Sequence, residues 1–536
     1  MPEMTGAEAL KTTLANEGVE VIFGVPGVHI MGSMNTLYLS EEIRWISTRH
    51  EQAAAFMAFG YARTTGKLGV AMVVPGPGAF NACAAIGTAY AASTPLMLIA
   101  GQIASPNIGR NAGVLHEVTE QLDVFRPITK WNTRIMNVTD IPGTLQEGVT
   151  RLKTGRPRPV EIEIPFDLLG VKADINIGKR KETEKEPLNL TIVREAAKLL
   201  AGAERPVIWA GGGIITADIS DQLAQLAEKI NAPVVMTAEG KGAISDYHPL
   251  AAGIADYRAN NVLNMADLVI CLGSRFLPMR GVKEKAPGLK IIQVDIDNEE
   301  VARNCPVDIG IAADVRKVIP ALLEELPESG NSKWKSSEIE KIKAEFMDRL
   351  EKAAPVQLGI LRDIRSVLAE DSILVPDLTN AGYWSEIVYP VYKPRTYLTA
   401  SYFATLGFAF PTALGAKVGN PDKQVVALYG DGGFLFTGND LATAVQYGIN
   451  VVTIILNDNS YGATYRIQML NYEKRYIGTE LVNPDFVAYA RSFGALGIKL
   501  SSHEELKDAL PSALTENRPV VIEVPVPNMA QPRDIV

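Results

Sequence analysis

Gly430–Gly462 reads GDGGFLFTGNDLATAVQYGINVVTIILNDNSYG, and the two polar ends of this stretch carry its meaning. Val425–Tyr429 is a short apolar strand that breaks at Gly430-Asp431-Gly432-Gly433. An apolar-periodic segment follows from about Asn439 to Tyr447 and is closed by Gly448. Val451–Leu456 is a second apolar strand, breaking at Asn457-Asp458-Asn459-Ser460. Strand, helix and strand in this order imply parallel neighbours joined by a right-handed crossover. Both polar breaks then lie at the carboxyl ends of their strands, where open α/β sheets take their ligands. Asp431 and Asp458 are 27 positions apart in the chain, yet this topology sets them side by side. Two carboxylates that close repel each other unless a cation lies between them, and oxygen donors suit Mg²⁺ carrying phosphate. The glycines next to Asp431 let backbone N–H groups approach a phosphate. A lone GDG reads more simply as an ordinary strand-to-helix turn. The Asn457-Asp458 pair at this distance is what sets the stretch apart.

The stretch resembles the thiamine-diphosphate signature, a GDG followed some two dozen residues later by an Asn/Asp pair. That resemblance assigns the metal to Asp431, Asp458 and the backbone carbonyl of Ser460, with aspartate standing at 458 where the family more often has asparagine. It places Gly430, Gly432, Gly433, Tyr461 and Gly462 against the cofactor.

The rest of the chain sets the frame. Its 536 residues suffice for about three domains of ordinary size. A composition of 47% hydrophobic and 21% charged residues is that of a globular protein. The net charge of −9 argues against a nucleic-acid partner. Cys83, Cys271 and Cys305 are too few and too scattered for a disulfide framework or a metal site, which fits a cytoplasmic protein. MPEMTGAEALKTTLANEG at the start is an amphipathic helix without a signal-peptide layout. No apolar run reaches the roughly 20 residues that span a bilayer.

Strand signals at Val19–Phe23, Ile43–Ser47, Gly69–Val74, Leu96–Ala100 and Val160–Ile164 predict a first doubly wound parallel sheet. The charged stretch GKRKETEKEP, within Ala173–Leu188, reads as an exposed linker. A second α/β pattern carries strands at Pro206–Ala210, Val234–Met236, Leu268–Leu272 and Ile291–Asp295, with glycines at 211 to 213. PESGNSKWKSSE, at Pro327–Glu338, reads as a second linker before the third α/β unit, which ends near Val520–Val524. The expected fold is therefore α/β, with three doubly wound parallel-sheet domains at 1–172, 189–326 and 355–536. The resemblance makes them the pyrimidine-binding, middle and diphosphate-binding domains.

Thiamine diphosphate also needs a carboxyl from the first domain, one that holds a ring nitrogen of its aminopyrimidine. Glu51 stands at a strand end and helix start in HEQAAAFMAFGYAR, among small and apolar neighbours. A helix-start glutamate can equally be a dipole partner. With PGPGAFN following, however, this segment resembles the acetolactate synthase and benzoylformate decarboxylase group, which makes Glu51 the catalytic acid. In ATLGFAFP (Ala404–Pro411) the resemblance makes Leu406 the wedge under the cofactor and the Ala404 carbonyl an acceptor. It places Asn380 near the diphosphate.

GVPG at 24–27, GPGAFN, ITKWN and GRPRPVEIEIPFD resemble acetolactate synthase most, which implies a decarboxylase or carboligase acting on a 2-oxo acid. Loss of carbon dioxide is followed either by protonation or by attack on a second carbonyl. Departures accompany the likeness. His116 and Glu117 stand in VLHEVTEQLD where the family has a Phe-Gln pair near the substrate, which makes both candidate catalytic residues, and Ile467 replaces the tryptophan of the acceptor pocket. Leu277-Pro278 stand where two aspartates are expected, which weighs against FAD, while Gly211–Gly213 keep a nucleotide such as FAD or ADP open. LGFAFP and NDNSYGAT resemble benzoylformate decarboxylase, whose serine and histidine fall at Val28 and near Val74. His29 and His116 are the candidates to replace them. His50, His248 and His503 read as structural. A 2-hydroxyacyl-CoA lyase or oxalyl-CoA decarboxylase-like enzyme is a third reading, with Arg275, Arg280 and the tail after Asn528 as candidate contacts. A catalytically silent relative is a fourth, disfavoured by intact Glu51, Asp431 and Asp458. The family pattern further implies a homodimer or homotetramer with active sites between subunits.

Overall fold

The computed structural model describes residues 3–38, 40–180, 187–256, 261–276, 288–328 and 330–534. Three parallel sheets organise them. The first runs Arg44–Ser47, Val21–Gly24, Gly69–Val73, Leu96–Gln102, Val160–Pro165, Trp131–Arg134. The second runs Ala251–Ile254, Val234–Met236, Pro206–Ala210, Leu268–Leu272, Lys290–Asp295, Ile309–Ala312. The third runs Ile373–Pro376, Val425–Gly430, Val452–Asn457, Val520–Pro525, Leu496–Lys499. Every pairing within these sheets is parallel. The expected α/β architecture is the observed one. A small antiparallel pair, Glu3–Thr5 with Lys172–Asp174, ties the start of the chain to the end of the first unit.

The first and third sheets share one hydrophobic core. The helix Glu51–Thr65, buried from Ala53 to Thr64, lies against the helix Ala409–Gly419. They meet at glycine: a Cβ on Gly60 would collide with the Thr412 carbonyl, and one on Gly415 with the Met57 carbonyl. Phe408 then sits edge-to-face on both Phe56 and Phe59, with ring centres 5.5 and 5.4 Å apart.

The middle unit has its own core, and that core reaches past the predicted boundary. Trp334 is buried, and its indole N–H donates to the Pro206 carbonyl. The backbone N–H groups of Asn331 and Lys333 bond the carbonyls of Ala201 and Glu204. The stretch read as a second linker is therefore tied to the middle unit through Trp334 and two backbone bonds, while most of its other residues stay exposed. Residues 181–186 of the first predicted linker lie outside the described residues. Among the described residues, no helix is long and apolar enough to cross a membrane.

Candidate active site

Val425–Gly430 and Val452–Asn457 are parallel neighbours, with Gly430 opposite Leu456. The next residues at both ends are therefore Asp431 and the Asn457-Asp458 corner. Asp431 is buried, and burial pushes its carboxyl up to about 6, against the pull of the Asn483 amide and with a further push from Asp458. Burial raises Asp458 as well, opposed by its bonds from Ser460 and Asn528. Asp458 Oδ1 accepts from the Ser460 backbone N–H and hydroxyl, at 3.1 and 2.9 Å. Tyr461 N–H bonds the Thr479 carbonyl and Leu481 N–H bonds the Asn459 carbonyl, so this pairing flanks Ser460 without using its own carbonyl.

The turn after Asp431 has no room for side chains. A Cβ on Gly432 would stand 2.6 Å from the Tyr461 ring, and one on Gly462 would stand 2.7 Å from Asp458 Oδ2. Asp431 and Asp458 could offer hard carboxylate oxygens to a cation beside glycines that leave no room for side chains. Mg²⁺ with a diphosphate fits that chemistry.

Glu51 opens its helix half-buried, and Asn81 Nδ2 donates to its Oε2 at 2.9 Å. A Cβ on Gly78 would be 3.3 Å from Glu51 Oε1, so the end of the Pro75–Gly78 loop lies beside the carboxylate. His50 caps the same helix, its Nδ1 accepting from Gln52 N–H, and His248 accepts from Leu250 N–H.

His29 and His116 come together at the same edge of the first sheet, with ring centres 4.9 Å apart. His29 is buried, and its Nδ1 has no hydrogen-bond partner. Burial, with His116 close by, holds its pKa below the ordinary imidazole value. His116 Nδ1 lies 3.2 Å from the Pro75 carbonyl, on the loop that touches Glu51. Glu117 points elsewhere: its carboxylate accepts from the backbone N–H groups of Ala112, Gly113 and Val114 and so closes its own turn. Val74 packs against Gly27 and Gly78, and Val28 is exposed.

Ala404 is exposed, with φ at +56°, and Leu406 is half-buried. Their segment is pinned by a Thr405–Thr88 hydroxyl bond of 2.8 Å and by the Thr437 hydroxyl donating to the Gly407 carbonyl. It thus bridges the first sheet's helix Pro77–Ala91 and the turn that follows GDGG. Asn380 gives its amide to the Met529 and Ala530 carbonyls, so its donors hold the C-terminal tail.

The sequence reading passed over four polar residues that organise this region. Asn483 and Asn528 donate to the two aspartates, at 2.6 and 3.2 Å. Asp377 accepts from Ala409 N–H and so ties the helix Ala409–Gly419 to the end of the strand Ile373–Pro376. Asp440 accepts from Arg49 N–H, two residues before Glu51, and thereby links the first and third units. Of the four, Asp440 had the clearest signal, lying within the decisive stretch itself.

A cavity of about 1200 Å³ opens between the three units, lined among others by Gly212, Gly213, Ser274, Arg275, Glu239 and Ile467. Gly211 and Gly213 are explained by close packing on Gly273, where a Cβ would clash, so the glycine run alone does not argue for a nucleotide. Arg275 stacks 4.1 Å over the Tyr402 ring. Leu277, Pro278 and Arg280 lie outside the described residues.

Comparison with known proteins agrees with this architecture. Residues 4–125, 193–322 and 377–524 match the N-terminal TPP binding, central and C-terminal TPP binding domains of thiamine pyrophosphate enzymes. The chain is 36% identical to a probable acetolactate synthase large subunit of Methanocaldococcus jannaschii, covering 97% of this chain and 92% of that protein. It is 33% identical to the acetolactate synthase large subunit of Haemophilus influenzae, over 98% and 95% of the two chains. It is also 33% identical to a probable 2-ketoarginine decarboxylase of Pseudomonas aeruginosa, over 97% and 94%. With all three domains matched in order and full-length relatives at this identity, the chain belongs to the thiamine pyrophosphate enzyme family.

Proposed function

We propose that this protein is a cytoplasmic, thiamine-diphosphate- and Mg²⁺-dependent enzyme that decarboxylates a 2-oxo acid and passes the remaining fragment to a second carbonyl, as acetolactate synthases do. The observation that carries the reading is the pair of carboxylates, buried Asp431 and half-buried Asp458, at neighbouring strand ends beside a turn with no room for side chains. Asp431, Asp458 and the Ser460 carbonyl would hold the cation, and the backbone of Gly430–Gly433 the diphosphate. Bound there, thiamine diphosphate supplies the electron sink that lets the bond to the substrate carbonyl carbon break. Glu51 would hold the aminopyrimidine ring, with its carboxylate aimed by Asn81 and the Pro75–Gly78 loop. Leu406 and the Ala404 carbonyl would shape and receive that ring. The central cavity, of about 1200 Å³, has room for a nucleotide such as FAD or ADP.

The histidine pair favours a second reading, a simple 2-oxo acid decarboxylase. A buried neutral imidazole in contact with one that reaches solvent is a path for the proton that such a reaction must deliver. Purified protein with thiamine diphosphate and Mg²⁺ would be given pyruvate, benzoylformate, 2-ketoarginine and a 2-hydroxyacyl-CoA, with products read by mass. Acetolactate from pyruvate supports the carboligase, and an aldehyde alone supports the decarboxylase. Cleavage of the CoA substrate only would overturn both. Glu51→Gln should lower kcat by about 10²–10⁴-fold, the range for loss of an acid–base group. Unchanged kcat would remove Glu51 from the site.

A further inference from the structure

Each carboxylate of the cation site is gripped by an asparagine from outside the signature stretch. Asn483 precedes the helix Phe486–Ser492, on a segment tied to Asn459 and Tyr461 by two backbone bonds. Its Nδ2 lies 2.6 Å from Asp431 Oδ2, 3.1 Å from Asn457 Oδ1 and 3.3 Å from Asn459 Oδ1. An amide has two hydrogens for these three oxygens, so one nitrogen ties the ends of both central strands together. Asn528 follows the strand Val520–Pro525, and its Nδ2 donates to Asp458 Oδ2 at 3.2 Å and to the Gly462 carbonyl at 3.4 Å. In each aspartate one oxygen is thus fixed by an amide.

We propose that Asn483 and Asn528 are positioning residues for the cation, each locking one metal carboxylate so that its remaining lone pairs face a common point. The inference rests on the assignment of Asp431 and Asp458 as cation ligands. Its chemistry is that of outer-shell partners that orient ligands, whose loss costs about 10–100-fold in metal affinity. Asn483 has the larger share, since it also holds Asn457 and Asn459 and thereby the approach of one strand end to the other.

The test is binding, not turnover. Mn²⁺, a hard divalent probe for the Mg²⁺ site, is titrated into full-length protein with excess thiamine diphosphate, and free Mn²⁺ is read by electron paramagnetic resonance. Asn483→Ala and Asn528→Ala should each raise the Mn²⁺ Kd about 10–100-fold, while the Tm without cation stays near that of the unmodified protein. A merely structural role predicts the reverse split, with a lower cation-free Tm and an unchanged Kd, and that result overturns the proposal. The two variants lie on separate segments, so misfolding of one leaves the other to decide. Asp431→Asn and Asp458→Asn distinguish the underlying reading. If they too leave Mn²⁺ affinity unchanged, the cation site itself is misassigned. If they abolish binding while both asparagine variants retain it within twofold, only the positioning role fails.

Discussion

At the scale of single residues, the buried carboxyl of the proposed cation site makes the fold sensitive to pH. Burial is the main cause that pushes the Asp431 carboxyl up to about 6. Because that value is raised above the ordinary carboxylate range, the folded chain holds the proton more tightly than the unfolded one. The resulting stability is fully present at low pH and is lost as pH rises through about 6. Asp377 and Asp440, both raised to about 6 by burial, and Glu386, raised to about 7, act in the same direction. His29 has the opposite sign, since its lowered value withdraws stability as the solution turns acid. A cation held by Asp431 as proposed would need its ionised form and would have to displace a proton below about 6. The Tm gained on adding Mg²⁺ with thiamine diphosphate should therefore be large at pH 7.5 and shrink markedly by pH 5. A gain of equal size at both pH values would show that Asp431 is not at the cation.

At the scale of elements, the helix pair Glu51–Thr65 and Ala409–Gly419 is the hinge between sequence and site. The first carries Glu51 at its start, the second follows the Ala404–Leu406 segment, and they cross backbone to backbone at Gly60 and Gly415. A single methyl there has nowhere to go. Gly415→Ala should lower Tm, with a destabilisation of about 1–3 kcal/mol as expected for overpacking, and should lower activity with it. Gly359 provides the contrast, being interior to the helix Pro355–Val367 with no heavy atom within 4 Å of an added Cβ. Gly359→Ala should be neutral or stabilising by up to about 1 kcal/mol. Equal losses from both would show that the crossing is looser than its geometry indicates.

The central strands of all three sheets were legible because burial on both faces makes them continuous apolar runs. The edge strands Trp131–Arg134 and Leu496–Lys499 were not, since short half-polar segments such as WNTR lack that signal. Asp431 and Asp458 could be paired from sequence because one crossover joins their strands. Asn483 and Asn528 could not, because they arrive from separate segments and an asparagine before Pro484 reads as turn chemistry.

At the scale of the whole molecule, apolar side chains stand exposed beside the residues assigned to chemistry. Val28 next to His29 is 62% exposed, and Leu435 and Phe436, just after the GDGG turn, are 43% and 49% exposed. Exposed apolar surface of this kind marks a protein–protein contact, a membrane contact or a ligand groove, and a second copy is proposed to cover it here. A second copy closing an active site made from Glu51 of one chain and Asp431 of the other has a consequence that can be counted. Glu51→Gln and Asp431→Asn should each keep at most about a hundredth of the activity alone. Co-expressed in equal amounts, they would form mixed dimers in about half of the assemblies, each with one site that inherits both intact residues and one that inherits neither. Activity should return to about a quarter of that of the unmodified protein, by this random pairing of copies. Light scattering on the same sample should give at least twice the chain mass. A site contained within one chain predicts no recovery however the two variants are mixed, and an active monomer would end the shared-site reading outright. Leu435→Asp separates assembly from chemistry: it should shift the protein toward monomer and reduce turnover, and cofactor-saturated turnover should rise again with protein concentration as the copies are driven back together.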